Sequence, residues 1–301
     1  MSRVSRANLL LLVSAVIWGF AFVAQRLGME HVGPFTFNAV RFALGAVVLL
    51  PVLFFRRWRR EAFGEAGKAP GAATVLGAGA LLGLVLFAGS SLQQVGLVYT
   101  TAGKAGFITG LYVIFVPMIG LTWGQRTDGA TWIGALMAVA GLYLLSVTGT
   151  LALSRGDTLV LLCAVVWAVH VQLVGRLVRR FDPVVLACLQ FVVCSLLSVI
   201  VALAGETITA AGLHGAMLPI LYAGLLSTGV AFTLQVAAQR HARPAPTAII
   251  LSFEAVFAVL GGWMVLGETL TLRGAAGCAL MLGGMLAAQL GRRAGPAAAN
   301  D

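Results

Sequence analysis

Long apolar runs alternate with short polar or basic segments along the whole chain. A helix needs about 20 mostly apolar residues to cross a bilayer. Ten runs come near that length: Asn8–Ala24, Phe35–Phe55, Thr74–Leu92, Ala105–Trp123, Thr131–Val147, Thr158–Val174, Val184–Ala204, Ala216–Leu234, Ala248–Leu266 and Leu272–Leu290. They are continuous and do not alternate with period two, which favours helices over a β-barrel. The predicted fold class is an all-α membrane protein with ten transmembrane helices. Arg3 and Arg6 ahead of the first run imitate a signal peptide, but the repeat described below predicts that the run is retained.

The ninth run carries the most informative residue. Ser252–Glu268 is apolar apart from Glu254 inside it and Glu268 just past its end. A charge at the centre of a membrane helix costs roughly 2.5–3.5 kcal/mol on insertion scales, so an ionisable group there marks a candidate functional site. The plainer alternative is a protonated or hydrogen-bonded Glu that ties helices together.

Composition sharpens the class. Sixty per cent of residues are hydrophobic, 10% are charged and the mean hydropathy is +0.98, against about 25% charged in a soluble domain. The 37 glycines suit closely packed membrane helices. A net charge of +10 would suit nucleic acid, but the basic residues lie in short clusters between apolar runs, as membrane-flanking loops do. No nucleic-acid partner is expected. Cys163, Cys188, Cys194 and Cys278 all fall in apolar runs without CxxC or metal-ligand spacing. They read as packing residues, and no metal or cofactor is expected.

Orientation follows from the loops. With the N-terminus inside, the inner segments hold Arg3, Arg6, Arg56, Arg57, Arg59, Arg60, Lys68, Arg126, Arg176, Arg179, Arg180, Arg240, Arg243, Arg292 and Arg293. The outer segments hold Arg26, Lys104, Arg155 and Arg273. Fifteen against four predicts both termini in the cytoplasm and a place in the inner (plasma) membrane.

The halves resemble each other. Trp18 matches Trp167, Pro34 matches Pro183 and Arg41 matches Gln190 at an offset of 149. Gln93 matches Gln235, Tyr112 matches Glu254, Arg126 matches Glu268 and Gly141 matches Gly283 at an offset of 142. The difference of seven falls in the loop after the second run, where Arg56–Ala73 is the longer insertion. Residues 1–150 and 151–301 are thus expected to be two five-helix repeats. An odd helix number inverts the second repeat across the membrane, an arrangement typical of secondary transporters with a site near the midplane.

With these motifs in hand, the chain resembles the drug/metabolite transporter superfamily, specifically its EamA-type ten-helix permeases. The matching features are Trp18-Gly19, Pro34 and Arg41, the stretch Leu251-Ser252-Phe253-Glu254-Ala255-Val256-Phe257-Ala258, then Leu266-Gly267-Glu268, Gly277 and Gly283. The resemblance implies an exporter of amino acids, metabolites or drugs; some relatives carry nucleotide sugars or phosphorylated sugars. The family often has Pro after the glutamate equivalent to Glu254; Ala255 here implies a straighter helix. Arg126 stands where the second repeat has Glu268, so any role of Glu268 is not shared by both halves.

Candidate substrate-binding residues are Trp18, Arg41, Gln93, Tyr112, Trp167, His170, Gln190, Gln235 and Glu254, with Glu254 and His170 as candidate proton-coupling groups. At roughly 1.5 Å per residue, Arg41 lies about 9 Å below the outer surface and Glu254 about 9 Å above the inner one. That leaves roughly 12 Å between them in a core of about 30 Å, too far for a direct salt bridge. Symmetry then predicts two polar strata around a central cavity, Arg41 with Tyr112 outside and Gln190 with Glu254 inside. Arg41 could instead bond helix-end carbonyls or snorkel. Gln93, Gln94, Gln172, Gln190 and Gln235 could be glue between helices. His170 shares a face with Trp167 and replaces Ala21 of the first repeat, so it breaks the symmetry. Trp18, Phe22 and Gln25 share a face by their spacing. Phe253 and Trp263 read as packing, and Pro51 and Pro117 as kinks. Gly79-x-x-x-Gly83 and Ala102-x-x-x-Gly106-x-x-x-Gly110 read as close helix contacts.

The predicted function is secondary transport of a small organic solute by alternating access, with Glu254 taking a proton or a cationic group, in a monomer or homodimer. The absence of GxxxxGK[ST] argues against direct ATP coupling. A channel or a structural membrane protein is the alternative. An intramembrane enzyme is disfavoured: of four histidines, His31, His214 and His241 fall in loops.

Overall fold

The structure is a computed structural model, and it describes residues 3–62, 71–146, 154–267 and 272–294. Among these residues every regular element is helical. The helices are α1 (Arg3–Gly28), α2 (Pro34–Ala62), α3 (Ala72–Tyr99), α4 (Ala102–Gly110), α5 (Tyr112–Thr122), α6 (Gly129–Ser146), α7 (Arg155–Leu177), α8 (Pro183–Gly205), α9 (Ala210–Gly215), α10 (Met217–Leu221), a π-helical segment Tyr222–Phe232, α11 (Thr233–Ala238), α12 (Pro244–Leu251), α13 (Glu254–Leu266) and α14 (Leu272–Ala294). Glu268 lies outside the described residues.

Eight stretches are long and apolar enough to cross a membrane: Arg3–Gly28, Pro34–Arg56, Ala72–Tyr99, Ala102–Thr122, Arg155–Leu177, Pro183–Gly205, Met217–Ala238 and Pro244–Leu266. These correspond to eight of the ten predicted spans. The fifth and tenth are represented by the shorter apolar stretches Gly129–Gly141 and Leu272–Ala287, whose helices, α6 and α14, pack on each other.

Local chemistry sets the helix ends. Ser154 accepts from Asp157 N while Asp157 accepts from Ser154 N, a capping box that starts α7. Asp182 accepts from Val184 N and Val185 N ahead of Pro183, starting α8. Arg56, near the far end of α2, reaches Asp182 at 3.3 Å. The opposite ends of the same antiparallel pair are joined differently. Glu206, just after α8, accepts from Phe35 N at 2.9 Å and from Thr36 N and Thr36 Oγ1 at 2.7 Å each, capping α2 from another helix. Gly33 leaves the room for this: a Cβ there would run into the Glu206 carboxylate.

Two spans are broken in the middle, and at matching places. Leu111 separates α4 from α5, and Ser252-Phe253 separate α12 from α13. Leu111 N bonds Ile108 O, and Phe253 N bonds Ile250 O, both one residue tighter than an α-helical bond. The Ser252 hydroxyl also donates to Ile249 O at 2.8 Å, competing with the helical ladder. Ala255 therefore does not keep this helix straight; the break forms without a proline. Tyr112 and Glu254 are the first residues after the two breaks, the relation that the 142-residue offset gives them.

All six apolar clusters draw residues from before position 147 and after 154. The halves are thus interleaved in every cluster. Gly79 and Gly83 of α3 receive Leu189 and Val193 of α8, and Gly106 receives Ala258, so the predicted small-residue contacts are helix crossings. Phe253 is buried in a cluster with Val113 and Ile249. Trp263 is 53% exposed, so it packs at the bundle's surface and not inside it.

Candidate functional site

Buried polar side chains need partners, because each unmet hydrogen bond in an apolar interior costs about 1–3 kcal/mol. Where they converge on empty space without partners, a ligand is the natural occupant. One such space lies at the middle of the bundle, a small cavity of about 50 Å³.

Its wall is aromatic on one side. Trp18 of α1 donates through Nε1 to Ser227 O at 3.1 Å, a carbonyl in the π-helical segment. Trp18 packs edge-on against Phe232, with ring centroids 4.6 Å apart. Trp167 of α7 approaches the same Phe232 at 5.7 Å and donates to Gln93 Oε1 at 3.0 Å. Phe22 completes this wall.

The polar groups sit around it. Arg41 is 3% exposed. Its Nε donates to Asn38 Oδ1 at 2.9 Å, and its guanidinium lies 4.6 Å from the Phe42 ring centroid. It forms no ion pair with any described carboxylate, and none joins it to Glu254, although both line the cavity. Glu254 is 4% exposed, at the first turn of α13. A helix N-terminus pointing into the middle of a bundle favours anionic groups there. Tyr112 lies beside Glu254, yet Tyr112 Oη and Glu254 Oε1 have no partner in hydrogen-bonding geometry. The cavity-lining Gln25 Oε1, Thr109 Oγ1 and Gln235 Oε1 are unpartnered as well.

Seven of the nine predicted site residues thus line one cavity: Trp18, Arg41, Gln93, Tyr112, Trp167, Gln235 and Glu254. His170 and Gln190 do not. They are fully buried and bonded to each other, His170 Nε2 to Gln190 Oε1 at 2.8 Å. His170 still meets Trp167 edge-on at 5.5 Å, as their shared face predicts. The expected strata are therefore corrected: Gln190 pairs with His170 instead of Glu254, and Tyr112 sits with Glu254. The physical reason is the departure from symmetry at position 170, which supplies Gln190 with a closer partner. The sequence reading missed Ser227 and Phe232. Their signal was faint, since a lone Ser and Phe in an apolar run look like packing, and nothing local announces the π-helical turn that presents them.

Below the cavity a ladder of amides crosses the bundle. Gln235 Nε2 donates to Gln239 Oε1 at 2.9 Å, and Gln239 Nε2 donates to Val171 O at 2.9 Å. Gln172 Nε2 donates to Val116 O, next to the kink-prone Pro117, at 2.7 Å. Gln125 Nε2 donates to Gln172 Oε1 at 2.7 Å. Gln172 and Gln239 are buried.

Comparison with known proteins fits this geometry. The profile of the EamA-like transporter family matches residues 5–147 and again 154–288. An uncharacterized transporter of Archaeoglobus fulgidus is 33% identical over 267 residues, 88% of this chain and 80% of that protein. The uncharacterized inner membrane transporter YedA of Escherichia coli is 26% identical, covering 85% of this chain and 81% of its own. The threonine/homoserine exporter RhtA of Escherichia coli is 26% identical over 94% of this chain and 89% of its own. One crystal structure shares the fold with a TM-score of 0.75 over 96% of this chain and 98% of that one, at 22% identity.

Proposed function

The chain belongs to the EamA-like transporter family, and on that footing we propose that it exports a small zwitterionic solute of the amino-acid type by alternating access across the inner membrane. One observation carries the reading. A single cavity offers an arginine without a described carboxylate partner, a glutamate with an unpartnered oxygen, and aromatic side chains in the same lining. A solute carboxylate suits the Arg41 fork, its ammonium suits Glu254, and its side chain lies against Trp18, Trp167 and Phe232.

The same arrangement serves coupling. With no ammonium present, a proton on Glu254 neutralises it, so proton and amine compete for one group. His170 is held by Gln190 away from the cavity and is not needed for this. The two inverted five-helix repeats supply the two-state element, with bending at Leu111 and at Ser252-Phe253 and the amide ladder as the inner barrier. The similarity to RhtA, named for threonine and homoserine export, supports an amino-acid solute.

Counterflow in proteoliposomes across a panel of amino acids and other metabolites tests this. The reading predicts saturable exchange for at least one amino acid, abolished or made pH-independent by Glu254→Gln. Linear, voltage-driven conductance would point to a channel instead. Exchange and pH dependence that survive Glu254→Gln unaltered would remove the role given to Glu254.

A further inference from the structure

A second concavity, of about 760 Å³, opens at the end of the bundle beyond the amide ladder. Arg126, Arg176, Arg179, Arg180 and Arg243 line it, against one carboxylate, Asp128. That carboxylate is already engaged, since Asp128 Oδ1 accepts from Thr131 N at 2.7 Å and starts α6. Arg176 is fixed in place: its guanidinium lies 3.8 Å from the Trp123 ring centroid and its Nη2 donates to Trp123 O at 3.3 Å. The other four arginines pair with no described carboxylate. The N-terminus of α12 also opens here, and no side chain caps it.

A preference for basic residues in cytoplasmic loops accounts for arginines at this end. It does not account for their convergence on one hollow. Like charges gathered in a cleft with low-dielectric walls repel one another and focus a positive field outward. A bound anion removes the repulsion, and guanidinium forks match phosphate oxygens two at a time. Basic pockets between membrane helices on the cytoplasmic side are suited to lipid phosphates.

We propose that this arginine basin is a phosphate-binding site, separate from the central cavity and filled by an anionic phospholipid headgroup or a soluble phosphate ester. Arg176 is the fixed anchor, and Arg179, Arg180 and Arg243 close on the phosphate from two sides.

The test uses full-length protein purified in a neutral detergent. Native mass spectrometry would follow binding of phosphatidylglycerol, phosphatidylcholine and glycerol 3-phosphate. Three forms would be compared: the unaltered protein, Arg179→Gln/Arg180→Gln, and the matched control Arg3→Gln/Arg6→Gln, which removes two charges at the same end. The expected result is preference for phosphatidylglycerol over phosphatidylcholine, weakened about tenfold in the basin pair and unchanged in the control. Basin-dependent binding of glycerol 3-phosphate without that lipid preference would assign the site to a soluble ester. Should the pair fail to fold, Arg243→Gln on a separate element serves instead. Equal loss in basin and control variants, or no binding preference for either phosphate probe, overturns the proposal.

Discussion

Gly19 offers the sharpest test of how the cavity is built. It follows Trp18 on α1, where α13 crosses. A methyl group at Gly19 would lie 2.7 Å from the Glu254 carbonyl oxygen, 2.8 Å from the Phe257 carbonyl carbon and closer still to Phe257 Cβ. Carbon atoms rest at about 3.5–4.0 Å, so Gly19→Ala requires α13 to retreat by roughly 1 Å. Overpacking of this kind costs about 1–3 kcal/mol, a fall of a few degrees in Tm at the roughly 2–4 °C per kcal/mol of a chain of 150–250 residues. The retreat also carries Glu254 away from Trp18 and Arg41. Gly77 on α3 is the control. Nothing lies within 4 Å of its added Cβ, and Ala is favoured over Gly in a helix by about 1 kcal/mol. Thermal unfolding in detergent and counterflow in proteoliposomes should therefore give opposite results. Gly19→Ala loses both Tm and flux, while Gly77→Ala keeps its flux and holds or gains Tm. If Gly19→Ala matched the unaltered protein in both assays, the close crossing of α1 and α13 would be wrong.

Two contacts at helix ends give further predictions. Glu206→Ala removes the cap on α2 and should cost about 1–2 kcal/mol in thermal unfolding. Adding Gly33→Asp should restore part of it only in the Glu206→Ala background, because the Glu206 carboxylate otherwise fills the space beside Gly33; rescue equal in both backgrounds would contradict this. The Asp157 side chain is fully buried and takes Lys104 Nζ at 2.6 Å and Thr100 Oγ1 at 2.9 Å. Lys104 is 43% exposed, which weakens the pair by screening, so Lys104→Met should cost about 1–2 kcal/mol. Lys104→Met/Asp157→Asn should recover much of that; a double variant no better than the single would refute the pairing.

What could be read from the chain divides by the range of the interaction. Apolar runs report lipid exposure directly, so eight spans and both helices carrying Tyr112 and Glu254 were visible. The pairing of those two residues by an offset of 142 was visible too, because it rests on residue identity. Their breaks were not, since Ser252 bonding Ile249 O and the tight turn at Leu111 depend on backbone geometry that no proline announces. Glu206 and the Lys104–Asp157 pair escaped because attention to intramembrane charge passes over helix ends. Gln190 with Glu254 failed because symmetry arguments ignore His170, which bonds Gln190.

The central claim is that the transported solute occupies the cavity between Arg41 and Glu254. Ser227 lines that cavity and is buried, at 2% exposed, and it is probed as Ser227→Cys, with Cys163, Cys188, Cys194 and Cys278 replaced by Ala. The measurement is the rate at which a small methanethiosulfonate reagent modifies that thiol with and without a solute shown to exchange. The account predicts slowing that saturates at the concentration that saturates counterflow. A labelling rate indifferent to saturating solute, in protein that still exchanges it, would contradict the claim.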